Sequence, residues 1–195
     1  PPPADPPEKT SDDVTIVFDH EGMTIENLLT WWTQSTGRRF IYDQRIIGKA
    51  AKVHLTGPVV IKHENVDWFF EGILVNAGLA LVQSGPPKAK TFKVEHLDQA
   101  RWLKQRARFV PEQEVRRLER SPAQVFLTSI TLRHAKAAQI RQAAAYILSN
   151  RNAEYLQETG PKSLLVCGFG PTLVAIAALV RAVDKEDNVQ PERNR

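Results

Sequence analysis

Two stretches of this chain repeat one order of elements: strand, amphipathic helix, strand, strand, amphipathic helix. The first runs over 14–97 and the second over about 125–184. A helix with a single apolar stripe must bury it, and in each stretch the surface within reach is the sheet built by its own strands. The sequence therefore predicts an α+β fold made of two small helix-on-sheet modules. At 195 residues the chain holds two domains of ordinary size. Domains this small bury only about 60% of the surface their unfolded chains expose, so each gains from packing on its neighbour or into an oligomer.

In the first module, Val14-Thr15-Ile16-Val17-Phe18 is rich in β-branched residues and reads as a strand. Ile25, Leu28, Leu29 and Trp32 follow at i, i+3, i+4 and i+7, with Thr24 as N-cap and Gly37 as the stop. Strands are expected over 39–43 and 52–55, the second broken by Gly57-Pro58. Val66, Phe69, Phe70, Ile73, Leu74 and Ala77 form a second helical stripe closed by Gly78. Residues 79–83 and 91–94 read as a hairpin around Gly85-Pro86-Pro87. The second module predicts a strand over 125–132, a helix over 135–150, strands over 153–157 and 163–167 around Gly160-Pro161, and a helix over 172–183.

The domain organisation that follows has five parts. Residues 1–13 read as a disordered Pro-rich tail, 14–97 as the first module, 98–120 as a basic connector, 121–184 as the second module and 185–195 as a polar tail. The connector carries seven Lys and Arg residues (Arg101, Lys104, Arg106, Arg108, Arg116, Arg117, Arg120) against four acids, a net of +3. Its first part, up to Phe109, has helical character, and Pro111 interrupts it.

No reactive constellation accompanies these elements. Cys167 is the single cysteine, which rules out an intrachain disulfide within 1–195 and any multi-cysteine zinc site, and its apolar run marks it as a buried, inert thiol. His20, His54, His63, His96 and His134 are dispersed without metal-ligand spacing. Asp43, after an apolar strand, reads as a turn former. Gly168-Phe169-Gly170-Pro171 lacks the pattern of a phosphate loop, and Pro171 suits the first turn of a helix. The expectation is no catalytic residue, no cofactor, no metal and no enzyme. No apolar run reaches the roughly 20 residues of a membrane helix, the best stretch, 164–183, being cut by Gly168, Gly170, Pro171 and Arg181. A formal charge of +4 permits an acidic partner without requiring one.

The residues also carry a family resemblance. The first module resembles the first periplasmic N-domain of bacterial secretins, particularly those of type II secretion systems. The match lies in Ser35-Thr36-Gly37, Phe40-Ile41-Tyr42-Asp43 and Arg45-Ile46-Ile47-Gly48-Lys49, then in Val53 to Pro58, Phe69-Phe70 with Ile73-Leu74, and Ala77-Gly78-Leu79-Ala80-Leu81-Val82. The second is similar to the next secretin N-domain, which is KH-like, through Ile130-Thr131-Leu132-Arg133-His134-Ala135, Lys162-Ser163-Leu164-Leu165-Val166 and Arg181-Ala182-Val183-Asp184. The family pattern runs on into further KH-like domains and a membrane β-barrel, so either a piece of such a protein or a shortened relative is expected. The Trp31-Trp32 pair and the long basic connector depart from the usual pattern.

The resemblance implies a non-enzymatic assembly module of a protein secretion channel, periplasmic and associated with an outer-membrane assembly. It implies self-association into a ring, contact with an inner-membrane secretion component and engagement of secreted protein. The candidate interface residues are Trp31, off the apolar stripe of its helix, Arg38 and Arg39 at the second strand, and Trp102 in the connector. The alternative is a basic nucleic-acid-binding protein using the connector and the KH-like module. Against it, the G-x-x-G loop with which KH domains clamp a nucleic-acid backbone is missing from the corresponding place.

Overall fold

The computed structural model of the chain describes residues 12–18, 21–48, 50, 52–148, 150 and 153–185; His20 and most of both tails lie outside them. The first module comprises β1 (Asp13–Ile16), α1 (Ile25–Thr36), β2 (Arg39–Ile41), the short α2 (Gln44–Ile47), β3 (Val59–Lys62), α3 (Val66–Asn76), β4 (Leu79–Gln83) and β5 (Thr91–His96). The predicted stripe of α1, Ile25, Leu28, Leu29 and Trp32, is the buried one. Thr24 Oγ1 accepts the Asn27 amide hydrogen at 3.3 Å, and Gly37 ends the helix in the left-handed region at φ 71°. In one sheet β2 runs parallel to β5 and β5 antiparallel to β4; β1 and β3 form a separate antiparallel ribbon from Asp13↔Lys62 to Ile16↔Val59.

Two expectations need correction here. Residues 52–55 form no strand; Val53 makes only an isolated bridge to Met23. The strand begins beyond Gly57-Pro58, because β1 needs a partner and Val59-Val60-Ile61 supplies it, with Gly57 turning the chain at φ 81°. Asp43 does more than form a turn: it caps α2, accepting the Arg45 amide at 2.9 Å and pairing with the Arg45 guanidinium at 2.7 Å. That pairing holds its carboxyl at about 2.

The second module begins inside the connector. After α4 (Ala100–Gln105), β6 (Arg108–Phe109) lies parallel to β7 (Val125–Thr131), and a 3-10 helix (Glu112–Arg120) follows. The rest is α5 (Ala137–Ala144), β8 (Tyr155–Gly160), β9 (Ser163–Phe169) and α6 (Gly170–Val183), with strand order β6-β7-β9-β8. The helical stretch ends at Gln105 rather than Phe109 because 108–109 is drawn into the sheet. Val110, Val115 and Leu118 join the core beneath α6. The helix predicted over 135–150 spans only Ala137–Ala144, beyond which the chain tightens into a turn in which the Ile147 amide donates to the Ala144 carbonyl at 2.9 Å. The apolar stretch 164–183 divides into β9 and α6, and no helix among the described residues is long and apolar enough to cross a membrane.

The start of α6 is roofed by the 3-10 helix. A Cβ on Gly170 would lie 2.0 Å from the Leu118 carbonyl oxygen and 2.7 Å from that of Ser121. Two backbone carbonyls thus lie against the side of the helix start, and Pro171 sits in the first turn as predicted. Because backbone cannot yield as a side-chain tip can, Gly170→Ala is expected to lower stability by about 2–3 kcal/mol, read as a shifted midpoint in urea unfolding.

Candidate interaction surface

Arg38, between α1 and β2, is the centre of the first module's polar architecture. Its guanidinium meets Asp67 Oδ2 at 2.8 Å and Glu71 Oε1 at 3.1 Å, and lies over the rings of Trp32 and Phe92 at 5.4 and 4.8 Å. Asp67 also accepts the indole N–H of buried Trp32 at 2.7 Å. Asp67 and Glu71 stand at i and i+4 on α3, so both carboxylates present to one cation.

Glu71 is wholly buried and reaches into the second module. Its Oε2 accepts the Ala123 amide at 3.2 Å, and its Oε1 accepts the Gln124 side-chain amide at 2.6 Å. Beside it the Leu81 amide donates to the Ala123 carbonyl at 2.8 Å, and Leu81 bridges Gln124 in parallel. Ala80 and Val82 of β4 pack with Leu103, Val125, Cys167 and Phe169 in one apolar cluster. The joint between the modules is thus a short strand pairing, an apolar patch and one buried carboxylate. Burial pushes the Glu71 carboxyl up to about 7, against the pull of Arg38, Gln124 and Ala123. Burial likewise raises the Cys167 thiol to about 11.

The three stretches of the second module that carry the family resemblance meet in space. The Asp184 carboxylate accepts the backbone amides of Arg133, His134 and Ala135 at 2.7, 2.7 and 2.8 Å. Lys162 Nζ donates to the carbonyls of Arg133 and His134 from the other side. Partial burial works to raise the Asp184 carboxyl, but the three amides overcome it and hold it below the usual aspartate range.

The candidate residues fall into two pairs. Trp31 is half-buried, its ring 5.1 Å from that of Phe70, and the Arg38 side chain, 14% exposed, is turned inward. Arg39 and Trp102 are exposed, Trp102 to 51%. Sequence reading missed Glu71; the signal available was a pair of acids four apart on an otherwise apolar helix with no cation of its own. It also missed exposed Ile41 and Phe109, on strands at the edges of their sheets, and a groove of about 540 Å³ lined by Ala138, Arg141, Tyr146 and Leu156. Of the connector's cations, Arg106 pairs with Glu95 at 3.5 Å and Arg108 covers the Phe126 ring. Among the described residues no group of three His, Cys, Asp or Glu is placed to hold a metal.

No protein-family profile matches this sequence, and no curated protein matches it. Among solved structures, the chain is similar to one in the type II secretion system outer membrane complex of Klebsiella pneumoniae, described as containing PulD, PulS and the PulC HR domain. The TM-score is 0.65 at 14% identity, over 84% of this chain and 26% of that one. The chain thus spans about a quarter of the length of that relative. The N-terminal domain of the secretin XcpQ from Pseudomonas aeruginosa matches at 12% identity and TM-score 0.32, over 89% of this chain and 66% of that one. The GspC-GspD complex of enterotoxigenic Escherichia coli matches at 9% and 0.33, over 88% and 98%. Scores that low add nothing to the Klebsiella likeness. The fold is secretin N-domain-like, and α+β as the sequence predicts.

Asp184→Asn places an amide N–H against three backbone donors and is expected to lower stability by about 1–2 kcal/mol at pH 7. An acid whose folded pKa is depressed stabilises above its unfolded value of 3.8 and stops doing so as pH falls through the folded value. The gap between parent and Asp184→Asn in urea unfolding should therefore be full at pH 7 and close in strong acid.

Proposed function

We propose that this chain is a non-enzymatic assembly module of a protein secretion channel, working in the periplasm as part of an outer-membrane assembly. The first module acts as a secretin first N-domain and the second as its KH-like successor. Copies associate head to tail and close into a ring, and the module contacts an inner-membrane secretion component, with secreted protein as a further ligand. One observation carries this reading: the fold shared, over 84% of the chain, with a chain of the Klebsiella outer membrane complex. The buried joint supports it, since modules fixed to one another present one continuous surface to a neighbour.

Within this reading the contact residues are Arg39 and Trp102, while Trp31 and Arg38 shape that surface from behind. An exposed Trp is a strong anchor in protein interfaces, and Arg is among the residues enriched there. The expected result in sedimentation velocity is concentration-dependent self-association, or a stable complex with the periplasmic domain of an inner-membrane secretion component. Arg39→Glu combined with Trp102→Ala should weaken that association at least about tenfold, or about 1.4 kcal/mol, with Tm unchanged. A strictly monomeric chain at high concentration that binds no such domain contradicts the reading.

A further inference from the structure

Helix α3 turns toward solvent a face that carries no charge. Only two of its 11 residues, Asp67 and Glu71, are charged, and both are drawn inward to Arg38. Val66, Phe70 and Leu74 fill the core, so the opposite side is left to Trp68, Phe69, Gly72, Ile73 and Val75. Trp68 is 50% exposed and the other four are half-buried. A surface helix ordinarily sets charged and polar residues on that side, and an apolar one marks an interaction surface. Gly72 points the same way. Glycine is unfavourable inside a helix, yet a Cβ here would meet nothing within 4 Å, and its φ lies outside the left-handed region. Nothing within the molecule calls for a glycine at this place; a surface approaching from outside would.

We propose that this face binds the same face of a second copy of the chain, with the two α3 helices antiparallel across a two-fold axis. Knob and hole lie together: Trp68 and Gly72, at i and i+4, share one side of the helix. An antiparallel crossing centred between Trp68 and Val75 sets each indole over Gly72 and Val75 of the other copy. It sets each Phe69 over the other copy's Ile73, where a groove of about 350 Å³ opens between α3 and residues 52–55. One contact thus satisfies both copies, as an isologous interface requires. Charge fixes the direction. The start of α3 carries Asp12 and Glu64 against Lys62, a net negative end, and Lys52 stands beside the far end. Glu64 and Lys52 are exposed, and neither has an ion-pair partner among the described residues. Antiparallel helices bring each Glu64 toward the other copy's Lys52 and oppose the two helix dipoles favourably. Parallel helices would set like charge against like. This contact is separate from the head-to-tail one through Arg39 and Trp102 and does not depend on it.

Sedimentation equilibrium on the whole chain tests it, and a monomer–dimer equilibrium is expected. Gly72→Ala fills the hole but favours the helix. It should raise the Tm of dilute, monomeric protein while weakening dimerisation at least about tenfold. Glu64→Lys and Lys52→Glu should each weaken pairing, and the two in one chain should restore it, a rescue that an unlike partner would not show. Arg39→Glu with Trp102→Ala should leave the pair intact, which separates this contact from the ring contact. A Gly72→Ala chain that pairs as tightly as the parent overturns the proposal, as does a double charge exchange that fails to restore pairing. A chain that stays monomeric yet binds the periplasmic domain of an inner-membrane secretion component, and loses it on Trp68→Ala, overturns it in favour of that partner.

Discussion

The guanidinium of Arg38 lies over the rings of Trp32 and Phe92 and between the carboxylates of Asp67 and Glu71. Two further polar contacts hang on it: Asp67 satisfies the buried indole of Trp32, and Glu71 satisfies the second module. A planar, permanently charged group can stack and fork at once, which a lysine could not. Buried pairs of this sort add little over apolar packing, yet removing one member strands the others, at about 3–5 kcal/mol. Their value lies in specificity. An apolar joint alone would tolerate several angles between the modules, whereas a carboxylate that must meet Ala123 and Gln124 selects one.

The second module uses a different device for the same end. Its three resembling stretches are far apart in the chain, and they converge on the turn at Arg133-His134-Ala135, clasped by Asp184 on its amides and Lys162 on its carbonyls. What those stretches build is a structural clasp, which closes the far end of α6 back onto the start of α5. At the near end of α6, Gly170 lets the 3-10 helix pack backbone to backbone. Both ends of that helix are thus fixed to other parts of the module.

The sequence showed the helices best. The stripes of α1 and α3, the cap at Thr24, the stop at Gly37 and the hairpin of β4 and β5 all rest on contacts within a few residues, where periodicity and turn chemistry speak directly. What it hid depends on partners far away in the chain. β3 was missed because Gly57-Pro58 reads as an end, when the turn delivers the chain to β1 across more than forty residues. β6 was missed because a two-residue strand has no periodicity. Glu71 reads as an ordinary helix acid until Ala123 and Gln124, more than fifty residues on, enclose it. Arg38, a surface candidate by sequence, is turned inward by two acids that only the folded α3 presents together.

Cys167 belongs to the apolar cluster that fills the joint, fully enclosed with Ala80 and Val82 of the first module against it. Its thiol, raised to about 11 by burial, is inert while that packing holds. It is the one thiol of the sequence, so a reagent that reaches this place meets no competing sulfhydryl. The molecule therefore carries its own chemical clock: the alkylation rate of this one sulfur counts how often the packing around it opens, with no label added.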